Sequence, residues 1–147
     1  MARERLNSKS PETFSDSCHT NDRGATLFQE ACRKHQEGDI VSAERLYKET
    51  VAADPSIHAA WRNLGALLRQ LGKIQDSRHC TEKALKLDSS DGSLWGNYGN
   101  VLRDQGFLEE SCTAFREGLQ RAPNSKGLLQ GLAISLGQRG EHRQVVD

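Results

Sequence analysis

Residues 61–72 read WRNLGALLRQLG and residues 95–106 read WGNYGNVLRDQG. Laid over one another, they match at Trp61 and Trp95, Asn63 and Asn97, Gly65 and Gly99, Leu68 and Leu102, Arg69 and Arg103, and Gly72 and Gly106. Every pair is 34 residues apart, and self-similarity at one fixed period marks stacked repeats. The period runs outward in both directions. Gly38, Gly72, Gly106 and Gly140 keep it, as do Ala43, Ser77 and Ser111, then Tyr47, Thr81 and Phe115, then Pro55, Ser89 and Pro123.

Each period predicts two helices. Trp61, Leu64, Gly65 and Leu68 share one helical face, and Trp95, Tyr98, Gly99 and Leu102 copy it. Gly72 and Gly106 close this first helix, because glycine enters the left-handed conformation without a Cβ clash. Ser77, Thr81, Ala84 and Leu85 share a face of the second helix, as do Ser111, Phe115, Gly118 and Leu119. Pro55 and Pro123 end it, since proline cannot continue a helix interior. Gly65 with Ser77 and Gly99 with Ser111 let the paired helices approach, while large side chains fill the gaps between stacked pairs. The repeat core is thus read as Tyr47, Trp61, Gly65, Trp95, Gly99 and Phe115. Truncating Trp95, as a buried aromatic, to alanine is expected to cost about 3–5 kcal/mol.

These residues resemble the tetratricopeptide repeat family, whose first helix carries Trp, Leu-Gly and Tyr, and whose second carries Ala, Phe and Ala before a Pro. Trp61, Leu64, Gly65 and Ala84 match in one unit, Trp95, Gly99, Phe115 and Pro123 in the next, and Gly38, Ala43, Tyr47 and Pro55 in the one before. Ser77 and Ser111 depart at the Ala position, Ser89 at the Pro and Thr81 at the aromatic; Leu27 and Ala31 replace Trp and Gly in the first unit. The resemblance covers residues 24–147. It implies an all-α fold, an α-solenoid of antiparallel helix pairs in a right-handed superhelix behind a disordered N-terminal tail. The expected division is a flexible polar tail over 1–23, repeats over 24–57, 58–91 and 92–125, and a partial fourth repeat or C-terminal helix over 126–147. In that last unit Leu128, Leu129, Leu132 and Leu136 predict one amphipathic helix, and Gly140 predicts the opening of a second. An end without a polar capping helix is open to weak self-association, the chain stacking on another copy.

Composition narrows the function classes. Twenty Lys and Arg balance twenty Asp and Glu, whereas nucleic-acid binding domains are commonly strongly basic, so no nucleic-acid partner is expected. Mean hydropathy is −0.70, and no run approaches the roughly 20 apolar residues of a membrane helix, so no membrane partner is expected. The N-terminus has no apolar signal region. Cys18, Cys32, Cys80 and Cys112 show no CxxC spacing, which points to reduced thiols, a cytoplasmic setting and no metal site. No HExxH, GxSxG, P-loop or GxGxxG occurs, and the histidines have no spaced triad partners. No cofactor and no catalytic activity are expected.

The stacked first helices line an inner, concave surface. The resemblance implies a lining of Phe28, Cys32 and His35; then Arg62, Asn63, Ala66 and Arg69; then Gly96, Asn97, Asn100 and Arg103; then Gln130, Ile134 and Gln138. An amide both donates and accepts, so Asn63 and Asn97 suit an extended peptide backbone. The long arrays of O-GlcNAc transferases carry an asparagine ladder at the matching position. The alternative is that these asparagines hydrogen-bond between adjacent repeats. Arg62, Arg69 and Arg103 make the surface locally basic and suit an acidic or C-terminal carboxylate peptide; the alternative is that they are solvated or paired with Asp104 or another acid. The expected function is a non-catalytic protein–protein interaction module that binds a partner protein or peptide in this groove through Arg62, Asn63, Arg69, Asn97, Asn100 and Arg103. The rival reading is a substrate-presenting fragment or subunit of a repeat-linked glycosyltransferase or sulfotransferase.

Overall fold

The computed structural model describes residues 12–146. Among them there are seven helices and no strand: α1 (Glu12–Gln36), α2 (Ile40–Ala53), α3 (His58–Gln70), α4 (Ile74–Leu87), α5 (Gly92–Asp104), α6 (Leu108–Arg121) and α7 (Lys126–Val146). Neighbours in the chain pack as pairs, α1 with α2, α3 with α4 and α5 with α6, and α7 packs on both α6 and α5. The odd-numbered helices α3, α5 and α7 touch in succession. This is the arrangement of an α-solenoid whose first helices line one surface. No described helix is long and apolar enough to cross a membrane.

The turn within each pair is set by one glycine. Gly38, Gly72 and Gly106 have φ of 81, 76 and 84°, a region costly for any residue with a Cβ. The Gly72 N–H donates to the Arg69 carbonyl at 3.0 Å and the Lys73 N–H to Leu68 at 2.9 Å, capping the last orphan carbonyls of α3. The same pair of bonds closes α1 and α5. Between pairs, Asp54 and Asp88 hold the Ser56 and Ser90 amides at 3.0 and 2.9 Å. Ser89 thus stands at a proline position without loss of the turn, because the preceding aspartate fixes it.

The small positions act as expected and add a polar bond. Ser77 Oγ donates to the Gly65 carbonyl at 2.6 Å and Ser111 Oγ to Gly99 at 2.7 Å. Both serines are fully buried. Ser135 of α7, also fully buried, lies 2.9 Å from Ser111 Oγ; since Ser111 has given its proton to Gly99, Ser135 is the donor. One chain of hydrogen bonds therefore ties α7 to α6 and α6 to α5. Ser111→Ala should cost about 1–3 kcal/mol in a urea titration, because it leaves the buried Ser135 hydroxyl without a partner.

Three expectations change. Residues 1–11 of the expected tail lie outside the described residues, and 12–23 belong to α1. Gly140 does not open a second helix; α7 runs through it to Val146. After Gly38, Gly72 and Gly106 the second following residue is Ile40, Ile74 or Leu108, which gives the returning helix an apolar first contact; after Gly140 it is His142. Without that anchor, continuing the helix keeps the backbone hydrogen-bonded. Finally, Tyr47 and Phe115 are 1% exposed, but Trp61 and Trp95 are only half-buried. Their indole N–H groups donate to the Pro55 and Ser89 carbonyls, both at 2.8 Å, which holds each ring at the edge of the stack. The expected cost of Trp95→Ala falls accordingly to about 2 kcal/mol.

Candidate functional site

The groove residues divide into those held by neighbouring repeats and those left free. Asn63 belongs to the first group. Its Nδ2 donates to the Tyr47 hydroxyl at 3.4 Å, and Cys32 Sγ lies 3.9 Å away. Burial, with Cys32 beside it, pushes the Tyr47 hydroxyl up to about 12, so it remains a neutral hydrogen-bonding group at any ordinary pH. His35 Nδ1 stands 3.3 Å from the same oxygen. Cys32, His35, Tyr47 and Asn63 thus form one polar knot between the first two units. Phe28 packs against the core beside it, its ring 6.3 Å from Tyr47.

Two arginines also bridge repeats. Arg62 Nη1 meets Asp91 Oδ2 at 3.0 Å, and Arg69 Nε meets Asp104 Oδ2 at 2.7 Å. Asp91 is further engaged as the cap of α5: its Oδ1 accepts from the Ser93 and Leu94 amides at 3.0 and 3.4 Å. Burial alone would raise the Asp91 pKa, but hydrogen bonds from Ser93 and Arg62 outweigh it and hold the carboxyl below its ordinary 3.8. A folded-state pKa below the unfolded one gives stability that is present above about pH 4 and lost as pH falls through the folded value. Asp91→Asn keeps a capping oxygen and removes the charge. It should cost about 0.5–1 kcal/mol at neutral pH and flatten the acid limb of stability, read from thermal melts between about pH 3 and 7.

Asn97, Asn100 and Arg103 follow at three-residue intervals on α5, so they form one polar row along the helix. Asn97 makes no side-chain hydrogen bond among the described residues and lines two cavities. One, of about 140 Å³, is shared with Ala66 and Arg69 of α3; the other, of about 210 Å³, is shared with Gly96, Asn100, Phe115 and Leu128. Arg103 Nη2 donates to Asn100 Oδ1 at 2.9 Å and its Nη1 reaches the Gly131 carbonyl at 3.4 Å. Its guanidinium lies 5.8 Å over the Phe115 ring. It has no ion-pair partner among the described residues. Burial, then the positive charge of Arg69, lower its pKa, against the charge of Asp104, which is bonded to Arg69; guanidinium still stays charged, so a partly buried cation faces the groove without a directly paired anion among the described residues.

In the fourth unit Gly131, at the position of Asn97, is not a groove residue. It is buried against Phe115. Gln130, Ile134 and Gln138 are exposed. Sequence reasoning missed the part of Leu128, which is 4% exposed and packs over Gly96 and Gly118; a leucine at the first turn of α7 opposite two glycines was the available signal.

The tetratricopeptide repeat family model matches residues 58–91. No curated protein matches the sequence. Among solved structures, the first such domain of Spaghetti (RPAP3), bound to an HSP90 peptide, is similar with a TM-score of 0.77 and 18% identity, over 81% of this chain and 94% of that one. The Sgt2 domain from Aspergillus fumigatus has a TM-score of 0.76 and 17% identity, over 99% of this chain and 90% of that one. An O-GlcNAc transferase of Thermobaculum terrenum has a TM-score of 0.72 and 25% identity over 80% of this chain, which spans 22% of that enzyme. Residues 58–91 thus carry a tetratricopeptide repeat, and the fold of the chain is the helical array seen in solved domains of that kind.

Proposed function

We propose that the chain is a protein-interaction module that holds a partner segment against α5, with Asn97, Asn100 and Arg103 as the principal contacts. The observation that carries this reading is the contrast within the groove. Arg62, Arg69 and Asn63 are engaged by Asp91, Asp104 and Tyr47, whereas Asn97 keeps its amide available beside two cavities and Arg103, bonded only to Asn100 and the Gly131 carbonyl, has no ion-pair partner among the described residues. An extended backbone suits the amide, and a carboxylate of the partner suits the guanidinium. An acidic segment therefore fits best. That the Spaghetti domain holds an HSP90 peptide supports a peptide as the class of partner.

The test is capture from lysate with crosslinking and mass spectrometry, using wild type, Asn63→Ala and Asn97→Ala/Arg103→Ala. Partners kept by wild type and Asn63→Ala should fall about tenfold or more with the double variant. Equal recovery by all three overturns the reading.

The resemblance to the Thermobaculum enzyme favours a second reading, in which the array presents substrate to a linked transferase. Asn63 is turned to Tyr47 and Gly131 stands at the fourth position, so a continuous asparagine ladder is missing, and the first reading is preferred.

A further inference from the structure

The face of α5 that turns away from the groove carries another opening. Trp95, Tyr98 and Leu102 of α5 with Ala114 of α6 form its floor, and Glu109, Glu110 and Thr113 form its rim, around a cavity of about 320 Å³. The three α5 residues recur at three- and four-residue steps, which is one side of the helix; Asn97 and Asn100 occupy the other. Two departures from the preceding repeat shape it, one by removing cover and one by enlarging the wall. Tyr98 stands where that repeat has Leu64, and Thr113 stands where it has His79. There, the His79 ring lies edge-on to Trp61, with centroids 6.4 Å apart. Thr113 is too short to cover Trp95 in the same way, and Tyr98 is set against Trp95 at 6.3 Å, widening the aromatic wall.

The charges around the opening are unequal in their partners. Glu109 is held by Arg139 and Arg143. Glu82 is held by Arg78 and accepts from the Tyr98 hydroxyl at 3.2 Å. Glu110 is exposed and makes no ion pair or hydrogen bond among the described residues; Arg78 feels its charge from a distance, engaged instead with Glu82 and Gln105. The Trp95 ring already attracts one cation, Arg121, at 5.0 Å.

The geometry points to a second binding site, on the α6 side of α5, for a basic side chain of a partner protein. Its methylene stem lies on Trp95, Tyr98 and Leu102, and its cationic head meets Glu110. Aromatic faces attract cations through the ring quadrupole, the long stem of lysine covers apolar surface while its head stays polar, and a carboxylate without a partner supplies the charge-assisted hydrogen bond.

The probe is blocked lysine (N-acetyl-lysine methylamide), with blocked norleucine as the uncharged control, titrated to about 50 mM against isotope-labelled full chain by NMR. Saturable shifts of the Trp95 indole N–H and the Glu110 and Thr113 amides are expected with lysine and not with norleucine. Glu110→Gln should weaken the binding about fivefold. Thr113→His, which rebuilds the preceding repeat's cover and stays on an exposed position, should abolish it while the rest of the spectrum is kept. No saturable shift overturns the proposal. So does equal binding of norleucine, which would make the opening a plain apolar pocket, or undiminished binding by Thr113→His.

Discussion

Phe115→Ala is expected to lower the unfolding free energy by about 3–5 kcal/mol, read from urea titration of the far-UV circular dichroism. The ring is 1% exposed and sits between two glycines of different helices. A Cβ on Gly99 of α5 would lie 2.8–2.9 Å from three of its atoms, and one on Gly131 of α7 would meet its opposite edge. Removing it leaves a gap where α5, α6 and α7 meet, and the two positions that face the ring most closely, Gly99 and Gly131, have no side chain to fill it. The effect should reach the groove as well, since Arg103 lies over the ring and bonds to the Gly131 carbonyl. A loss below about 1 kcal/mol would show that α7 is not held by this contact.

The second large effect runs the other way in volume. Gly131→Ala should destabilise the chain by about 2 kcal/mol, although alanine favours a helix over glycine by about 1 kcal/mol. The new methyl group would fall within contact distance of Phe115 Cε1 and Cζ, and the ring cannot retreat because Gly99 closes its other side. Overpacking of this kind costs about 1–3 kcal/mol. Gly137 lies on the same helix, and a Cβ there would meet nothing within 4 Å. Gly137→Ala should therefore stabilise by about 0.5–1 kcal/mol, which separates packing from propensity. Gly131→Ala combined with Phe115→Leu should cost less than the sum of the two, because the smaller side chain gives room to the methyl group.

The repeat was legible because its residues act locally. A turn glycine, a small residue and an aromatic at fixed offsets each impose geometry on their own helix pair, so Gly72 and Gly106 or Ser77 and Ser111 could be read without knowing the rest. What was not legible depends on partners far along the chain. Pairing with Asp104 or another acid stood open for all three arginines, but Arg62 finds Asp91 and Arg69 finds Asp104 only after the repeats stack, and nothing in the sequence separates these two from Arg103. Asn63 and Asn97 look identical in register; only the presence of Tyr47 in front of Asn63 separates an inter-repeat bond from an available amide. Gly140 keeps the 34-residue period yet remains helical, because a glycine permits a turn and only a returning apolar contact fixes one. The opening at Trp95 arose from the opposite situation. It exists where the repeat was broken, at Tyr98 and Thr113, and departures from a pattern are read last.

The most direct test of the groove is site-specific photocrosslinking in cells. A benzophenone side chain is placed at Asn100, beside Arg103, or at Arg116, an exposed position of α6. The expected result is a discrete partner adduct from Asn100, lost when Arg103→Ala is added, and none from Arg116. The same adducts from both positions, or an Asn100 adduct that survives Arg103→Ala, would contradict binding against α5.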